Sequence, residues 1–384
     1  MESKMKTRNF HLYSVFLTSI IIFLVLSCSE NSGPSDPLEG DSIEMNITFA
    51  PIEVKSTDGK INLLYSVQTE DFETKGYTLK DFQAINSANN TILCSIADTT
   101  KYLLITKTNI LADDYPMRDY SNFRISVGLV LDPEQVPQKI KHKLIVVKDG
   151  QEKTIEGAET NVSREQIPVI SSPLKGERFM CNNTTVISNN IHPVYQMKYR
   201  GITRVPERFC ADWIKIDENG NYFTGDYHVC ENWYVYGENV YAVADGQVVS
   251  VKDGYADQSP VFTQPIPTTL FDGDGNSVVI HINSGYVTYG HLIPNSILVR
   301  PGQIVKNGDV IGKVGNSGDS DAPHLHFGLH TDFPYYISEG LPYYIDSVEK
   351  LGSTGFLFGP YTKLATTEIH YNELVENFGV YNLK

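Results

Sequence analysis

Cysteine and tryptophan are scarce in this 384-residue chain, with five of the first and two of the second. No CxxC pair occurs, so the usual spacing of a structural zinc cluster is absent. Basic residues are outnumbered. The 31 Lys and Arg face 46 Asp and Glu, a formal net charge of −15. Such a surface does not neutralise phosphates, which argues against nucleic acid as a main partner. No apolar run reaches the about 20 residues that a membrane-spanning helix needs. No solenoid repeat is visible, and the C-terminal half shows no long amphipathic helix. With 41% hydrophobic and 20% charged residues, the composition is that of an ordinary globular protein, and the length suits two or three domains.

The N-terminus carries more information. Lys4, Lys6 and Arg8 precede an apolar run from Leu12 to Leu26, the pattern of an export signal. The run ends in LVLSCSE, a small residue followed by Cys28, and so resembles the lipobox of bacterial lipoproteins. On that reading residues 1–27 are a signal peptide and Cys28 becomes the lipidated N-terminus. The protein is then exported and lipid-anchored to a bacterial cell-envelope membrane, on its periplasmic or surface face. Residues 28–44, rich in Ser, Gly, Pro and acid, read as a flexible tether. Four cysteines remain beyond Cys28: Cys94, Cys181, Cys210 and Cys230. Outside the cytoplasm a disulfide is permitted. A Cys210–Cys230 pair and free buried thiols both stay open.

From residue 45 to 163 short strand candidates alternate with turn signals such as STDG and NSANN. The pattern predicts an immunoglobulin-like β-sandwich, a spacer or binding module with no catalytic constellation. The stretch 165–350 is also strand-rich. GNSVVIHINSGYVTYGHL predicts a hairpin, and GDVIGKVGNSGDSDAPHLHFGLH a strand, a Gly/Ser/Asp loop and a second strand. The expected fold class is all-β throughout, with residues 351–384 as a C-terminal strand or extension covering a sheet edge.

Two stretches carry chemistry. In HLHFGLH, His324 and His326 share one face of a strand, with His330 further along it. In RFCADW, read as a strand, Arg208, Cys210 and Asp212 share a face. The block from about Pro173 to Ser347 resembles the lysostaphin/LytM-type zinc endopeptidases of bacterial peptidoglycan. The phrases VYAVADGQVVSV, PGQIVKNGDVIGKVGNSG and APHLHF carry the likeness, together with the hairpin above. The resemblance implies an antiparallel β peptidase core of the duplicated-hybrid-motif type, one Zn2+ ion and peptidoglycan peptides as substrate. It implies Asp212 and His326 as zinc ligands and His291 and His324 as catalytic histidines. The chain departs from the family four residues before Asp212, where Arg208 stands in place of a ligand histidine. Arginine offers no lone pair to a metal. Three readings follow. His192 or Cys210, or less well His228, completes the site. Alternatively, Arg208 binds a substrate carboxylate, with Asn316 as a further substrate contact. Or the domain is catalytically degenerate, Arg208 pairing with Asp212, and binds peptidoglycan or regulates a cell-wall amidase as a hydrolase partner. Tyr335, Tyr336, Tyr343 and Tyr344 are candidates for stacking on sugars or for packing.

Overall fold

Ile61–Thr69 reads INLLYSVQT, and eight of its nine residues are buried. Neighbouring side chains on a strand point to opposite faces, so this strand has a core on each side. Leu63, Tyr65 and Val67 enter one hydrophobic cluster with Phe82, Ala84, Ile140, Leu144 and Val146. Leu64 turns the other way, into a second cluster with Ile52, Val54, Ile167, Phe209 and Leu374. The molecule is a computed structural model. It describes residues 43–384 apart from 70–71, 74, 97–102, 108–109, 112–117, 120–122, 186–191, 193–196, 200–201 and 263–271. The expected export signal, Cys28 and the expected tether up to residue 42 lie outside the described residues, whereas Ile43, at the tether's end, is buried in the first cluster. Within them the chain is β throughout, with only short 3-10 turns and no α-helix.

Two sheets face each other across the first cluster. One runs Met45–Phe49, Ile61–Thr69, Phe123–Leu131, Leu103–Lys107 in spatial order; the other runs Gln151–Asn161, Lys139–Lys148, Thr78–Asn86, Ile92–Ser95. The C-terminal half is built on a single long sheet. Its middle strands are, in order, Gly176–Asn182, Ala211–Lys215, Leu325–His330, Gly285–Gly290 and Ser277–Ile282. Ser277–Ile282 and Gly285–Gly290 pair antiparallel as the sequence predicts. Trp213, Val287, Tyr289, Leu325 and Phe327 fill the core beneath.

The register matters most. Asn182 opposes Asp212, Asp212 opposes His326, and His326 opposes Gly290. A single row across four strands therefore carries two of the expected site residues and ends beside His291.

Three expectations change. Pro206–Phe209 is a turn and the strand begins only at Ala211. The turn is held by Arg208 N–H to Val205 O (3.3 Å) and Cys210 N–H to Glu207 O (3.0 Å). RFCADW is thus not one strand, and Arg208 is free of the alternation that would aim it with Asp212. The C-terminal tail forms two strands, not one edge cover. Thr362–Glu373 lies on Tyr344–Ser353, whereas Gly379–Leu383 is inserted between Tyr344–Ser353 and Gly176–Asn182. Cys94 is buried, and Cys181, Cys210 and Cys230 are buried thiols, so Cys210 and Cys230 form no disulfide.

Candidate metal and catalytic centre

Asp212 is the hub. Its Oδ1 lies 3.0 Å from His326 Nδ1 and 3.6 Å from His324 Nε2; its Oδ2 lies 3.4 Å from His192 Nε2. Asn183, in the left-handed region at φ 65°, donates from Nδ2 to Oδ2 at 2.7 Å. Burial by itself would raise the carboxyl. The surrounding His192, His324 and His326 outweigh it and hold Asp212 well below the usual carboxylate range. His326 moves the opposite way. Burial opposes its charge, but the hydrogen bond with Asp212 and the neighbouring Cys210 hold it well above an ordinary imidazole.

Two triads of donor atoms share His326. His192, Asp212 and His326 lie within 4.8 Å of one another, and so do His291, His324 and His326. In the first, His192 Nδ1–H donates to Cys210 O at 3.3 Å, which leaves Nε2 toward Asp212. Burial lowers His192 to about 4, keeping the imidazole neutral and its lone pair available. Two imidazoles and a carboxylate are the donor set of a three-ligand zinc site with an open fourth position. A backbone carbonyl on the far nitrogen of one histidine is the usual partner of a ligating imidazole. The residues present fit zinc.

The second triad holds His291 and His324, the two histidines expected to be catalytic. His291 sits at φ 60° directly after its strand, its N–H bonded to Asp274 O at 2.8 Å. A left-handed histidine is uncommon, and the ring centroid lies 5.8 Å from that of His326. Its Nδ1–H donates to Ser317 O at 2.7 Å. Burial pushes His291 well below the ordinary imidazole range, so it is neutral. His324 keeps Nδ1 on Ala322 O at 2.8 Å, with Ser320 Oγ at 3.3 Å, and its ring centroid is 4.6 Å from that of His291.

The remaining sequence candidates fall elsewhere. Arg208 is 1% exposed and does not face Asp212. Its Nη2 donates to Ser66 Oγ (3.1 Å) and Glu339 Oε2 (3.2 Å), and the guanidinium lies 4.2 Å over the Phe49 ring. It can bind no substrate carboxylate there. Cys210 turns its thiol to Pro206 O, burial pushes that thiol up to about 11, and it belongs to neither donor triad. His228 pairs with Asp226 on the surface. Asn316 is buried, its Nδ2 on Gln258 O and its Oδ1 accepting from Ser320 Oγ. It touches His324 only through Ser320 and offers nothing to a substrate. Tyr335, Tyr336 and Tyr343 are buried, and Tyr344 accepts the Lys55 N–H.

Sequence reasoning passes over Asn183, Ser320 and Glu207. Glu207 lies 4.0 Å from His192 Nε2, and burial raises its carboxyl to about 8. No spacing rule marks these residues. Asn183 lies 29 residues before Asp212 in the chain, and Glu207 and Ser320 belong to no motif of their own.

Residues 233–336 match the model of peptidase family M23, a span that includes His291, His324 and His326. That segment belongs to the family, the lysostaphin/LytM-type peptidases. The peptidoglycan DD-endopeptidase ShyB of Vibrio cholerae is 40% identical over 93 residues, 24% of this chain and 17% of that protein. The match thus spans less than a fifth of that relative's length. Among solved structures, the catalytic domain of the antimicrobial peptidase lysostaphin from Staphylococcus simulans is 25% identical, over 31% of this chain and 86% of its own, with a TM-score of 0.21. A zinc-containing peptidase from Vibrio cholerae is 16% identical, over 72% of this chain and 80% of its own, with a TM-score of 0.21. Both overall superpositions are weak.

Proposed function

We propose that the chain is a cell-envelope zinc metallopeptidase that hydrolyses peptide bonds of peptidoglycan stems or cross-bridges, held to its membrane by a lipid on Cys28. One observation carries the reading. His192 meets Asp212 and His326 in a buried donor cluster, at a site whose usual first histidine is replaced by arginine. The M23 match and the peptidoglycan DD-endopeptidase relative from Vibrio cholerae support the substrate class.

His192, Asp212 and His326 would hold the ion. When bound, zinc supplies Lewis-acid polarisation of the scissile carbonyl and makes the attacking water more acidic. The proton work belongs to the chain. With Nδ1–H committed to Ser317 and its ring neutral, His291 offers an Nε2 lone pair. It takes the water proton and passes it to the leaving amine. His324 has Nδ1 on Ala322 O and Nε2 3.6 Å from Asp212 Oδ1. Beside His291, it is the group that stabilises the developing oxyanion.

The test is metal content and digestion together. Protein purified in metal-free buffer and given zinc should hold about one ion per chain, as a three-ligand site implies. His192→Ala and Asp212→Ala should lose it. Peptidoglycan release should vanish in His324→Ala while zinc stays. A wild-type chain that takes up no zinc would leave the degenerate, binding-only alternative standing.

A further inference from the structure

Arg208 occupies the position from which the family takes a metal ligand, yet its side chain is spent on a seam. Three structural parts meet at its guanidinium. Ser66 and Phe49 belong to the first sheet of the N-terminal sandwich. Glu339, itself buried, also accepts Val205 N–H at 3.1 Å and so grips both ends of the turn that precedes Asp212. Beside it, Gly340 N–H bonds to Val205 O at 3.0 Å, and Gly340–Leu341 pairs with the end of the strand that carries His326. At the close of the turn, two residues after Arg208, the Cys210 carbonyl accepts from His192 Nδ1. A continuous path of contacts therefore runs from the sandwich, through Arg208 and the turn, to the carbonyl that orients His192. The backbone makes a second link, because Met197, five residues after His192, pairs with Leu111 of the N-terminal half.

We propose that Arg208 is a positioning residue, through which the N-terminal sandwich fixes the orientation of His192 and so completes the metal site. The arginine that displaced one ligand braces its replacement. A partner on the far nitrogen of a ligating histidine fixes tautomer and ring angle, and losing such a partner typically costs about 10–100-fold in metal affinity. The N-terminal half is then part of the site's scaffold and not a detachable spacer. The inference rests on the proposed zinc site.

The test uses the full-length chain with cobalt(II) as a spectroscopic stand-in for zinc, titrated against a competing chelator. Ser66→Ala and Phe49→Ala alter the far side of the seam and touch no proposed ligand. Arg208→Met leaves the buried Glu339 carboxylate with only the more distant Arg204, at 3.7 Å, as a cation, so Arg208→Met/Glu339→Leu is made alongside it. We expect roughly tenfold or greater loss of cobalt affinity in Phe49→Ala and in the double variant, with visible absorption shifted toward that of His192→Ala. In the metal-free chain, 15N-labelled histidine should show His192 protonated at Nδ1 in the wild type and as a tautomer mixture in the variants. Unchanged affinity, spectrum and tautomer in every seam variant would overturn the positioning role alone. No cobalt or zinc binding by the wild type would overturn the zinc site and this inference with it.

Discussion

His192 Nε2 stands 3.4 Å from Asp212 Oδ2, although the two residues come from separate segments and no family motif joins them. Asp212 is fixed by its strand register opposite His326, whereas His192 is brought in from upstream. The first expectation concerns this pair. His192→Ala should abolish stoichiometric zinc, a larger effect than the about 10–100-fold typical of outer-shell changes. Cys210→Ala should leave zinc content unaltered, because the thiol faces Pro206 O. Mass spectrometry of the metal content separates them. Zinc lost in Cys210→Ala but kept in His192→Ala would reverse the ligand assignment.

Asn316 is expected to act on rate and not on binding. Its Oδ1 accepts from Ser320 Oγ, and Ser320 lies 3.3 Å from His324 Nδ1. Asn316→Ala should slow kcat by roughly tenfold, short of the 10²–10⁴-fold that a whole acid–base group can supply, with KM and zinc content unchanged. Steady-state kinetics on a soluble peptidoglycan fragment give both constants. A raised KM with kcat intact would restore Asn316 as a substrate contact.

Much of this was legible in the residues alone. Period-two alternation and the NSG turn marked the Ser277–Gly290 hairpin, because local strand signals and turn chemistry agree there. His291, His324, His326 and Asp212 were legible because their motifs hold each residue on or beside a strand, and strand register does the rest. His192 could only be one candidate among several, since its approach to Asp212 depends on long-range folding. Arg208 misled for a specific reason. Strand alternation does not run through RFCADW, because the segment turns at Pro206–Phe209, and the buried Glu339, which claims the guanidinium, lies far along the chain. Glu207 gave no signal, because its importance arises from burial beside His192 and not from any spacing.

Gly328 is expected to tolerate no side chain. It lies on the strand between His326 and His330, and a Cβ there would overlap the Cys210 Sγ. Gly328→Ala should destabilise the fold by about 1–3 kcal/mol, the usual cost of overpacking a core. Removing the sulfur should relieve part of that cost, so Gly328→Ala/Cys210→Ala should be more stable than the sum of the single changes allows. Denaturant unfolding of the four proteins measures the coupling. Additive effects would mean that the strand shifts to make room without help from Cys210.

His142 should make the N-terminal sandwich sensitive to acid, independently of the metal site. It is buried between the sheets, stacked on Phe82, with Nε2 2.8 Å from Tyr65 Oη and Nδ1 2.9 Å from Ala158 O. Burial is the dominant cause that lowers it to about 4, and the Ala158 hydrogen bond opposes that only in part. In the unfolded chain the same imidazole takes up a proton near its ordinary value of 6.5. Between those two values the unfolded state binds more protons than the folded one. Stability is therefore complete above about pH 6.5, falls as the pH drops toward 4, and loses nothing further from this group below that. The loss is on the order of 3 kcal/mol. His142→Gln keeps a polar side chain but cannot titrate, so its stability should fall less over this window. Because His192, His291 and His330 are depressed by burial in both proteins, their contributions cancel in the difference. Chemical unfolding of wild type and His142→Gln across pH 4 to 7 reads that difference directly, and parallel curves would show that His142 is not held neutral in the fold.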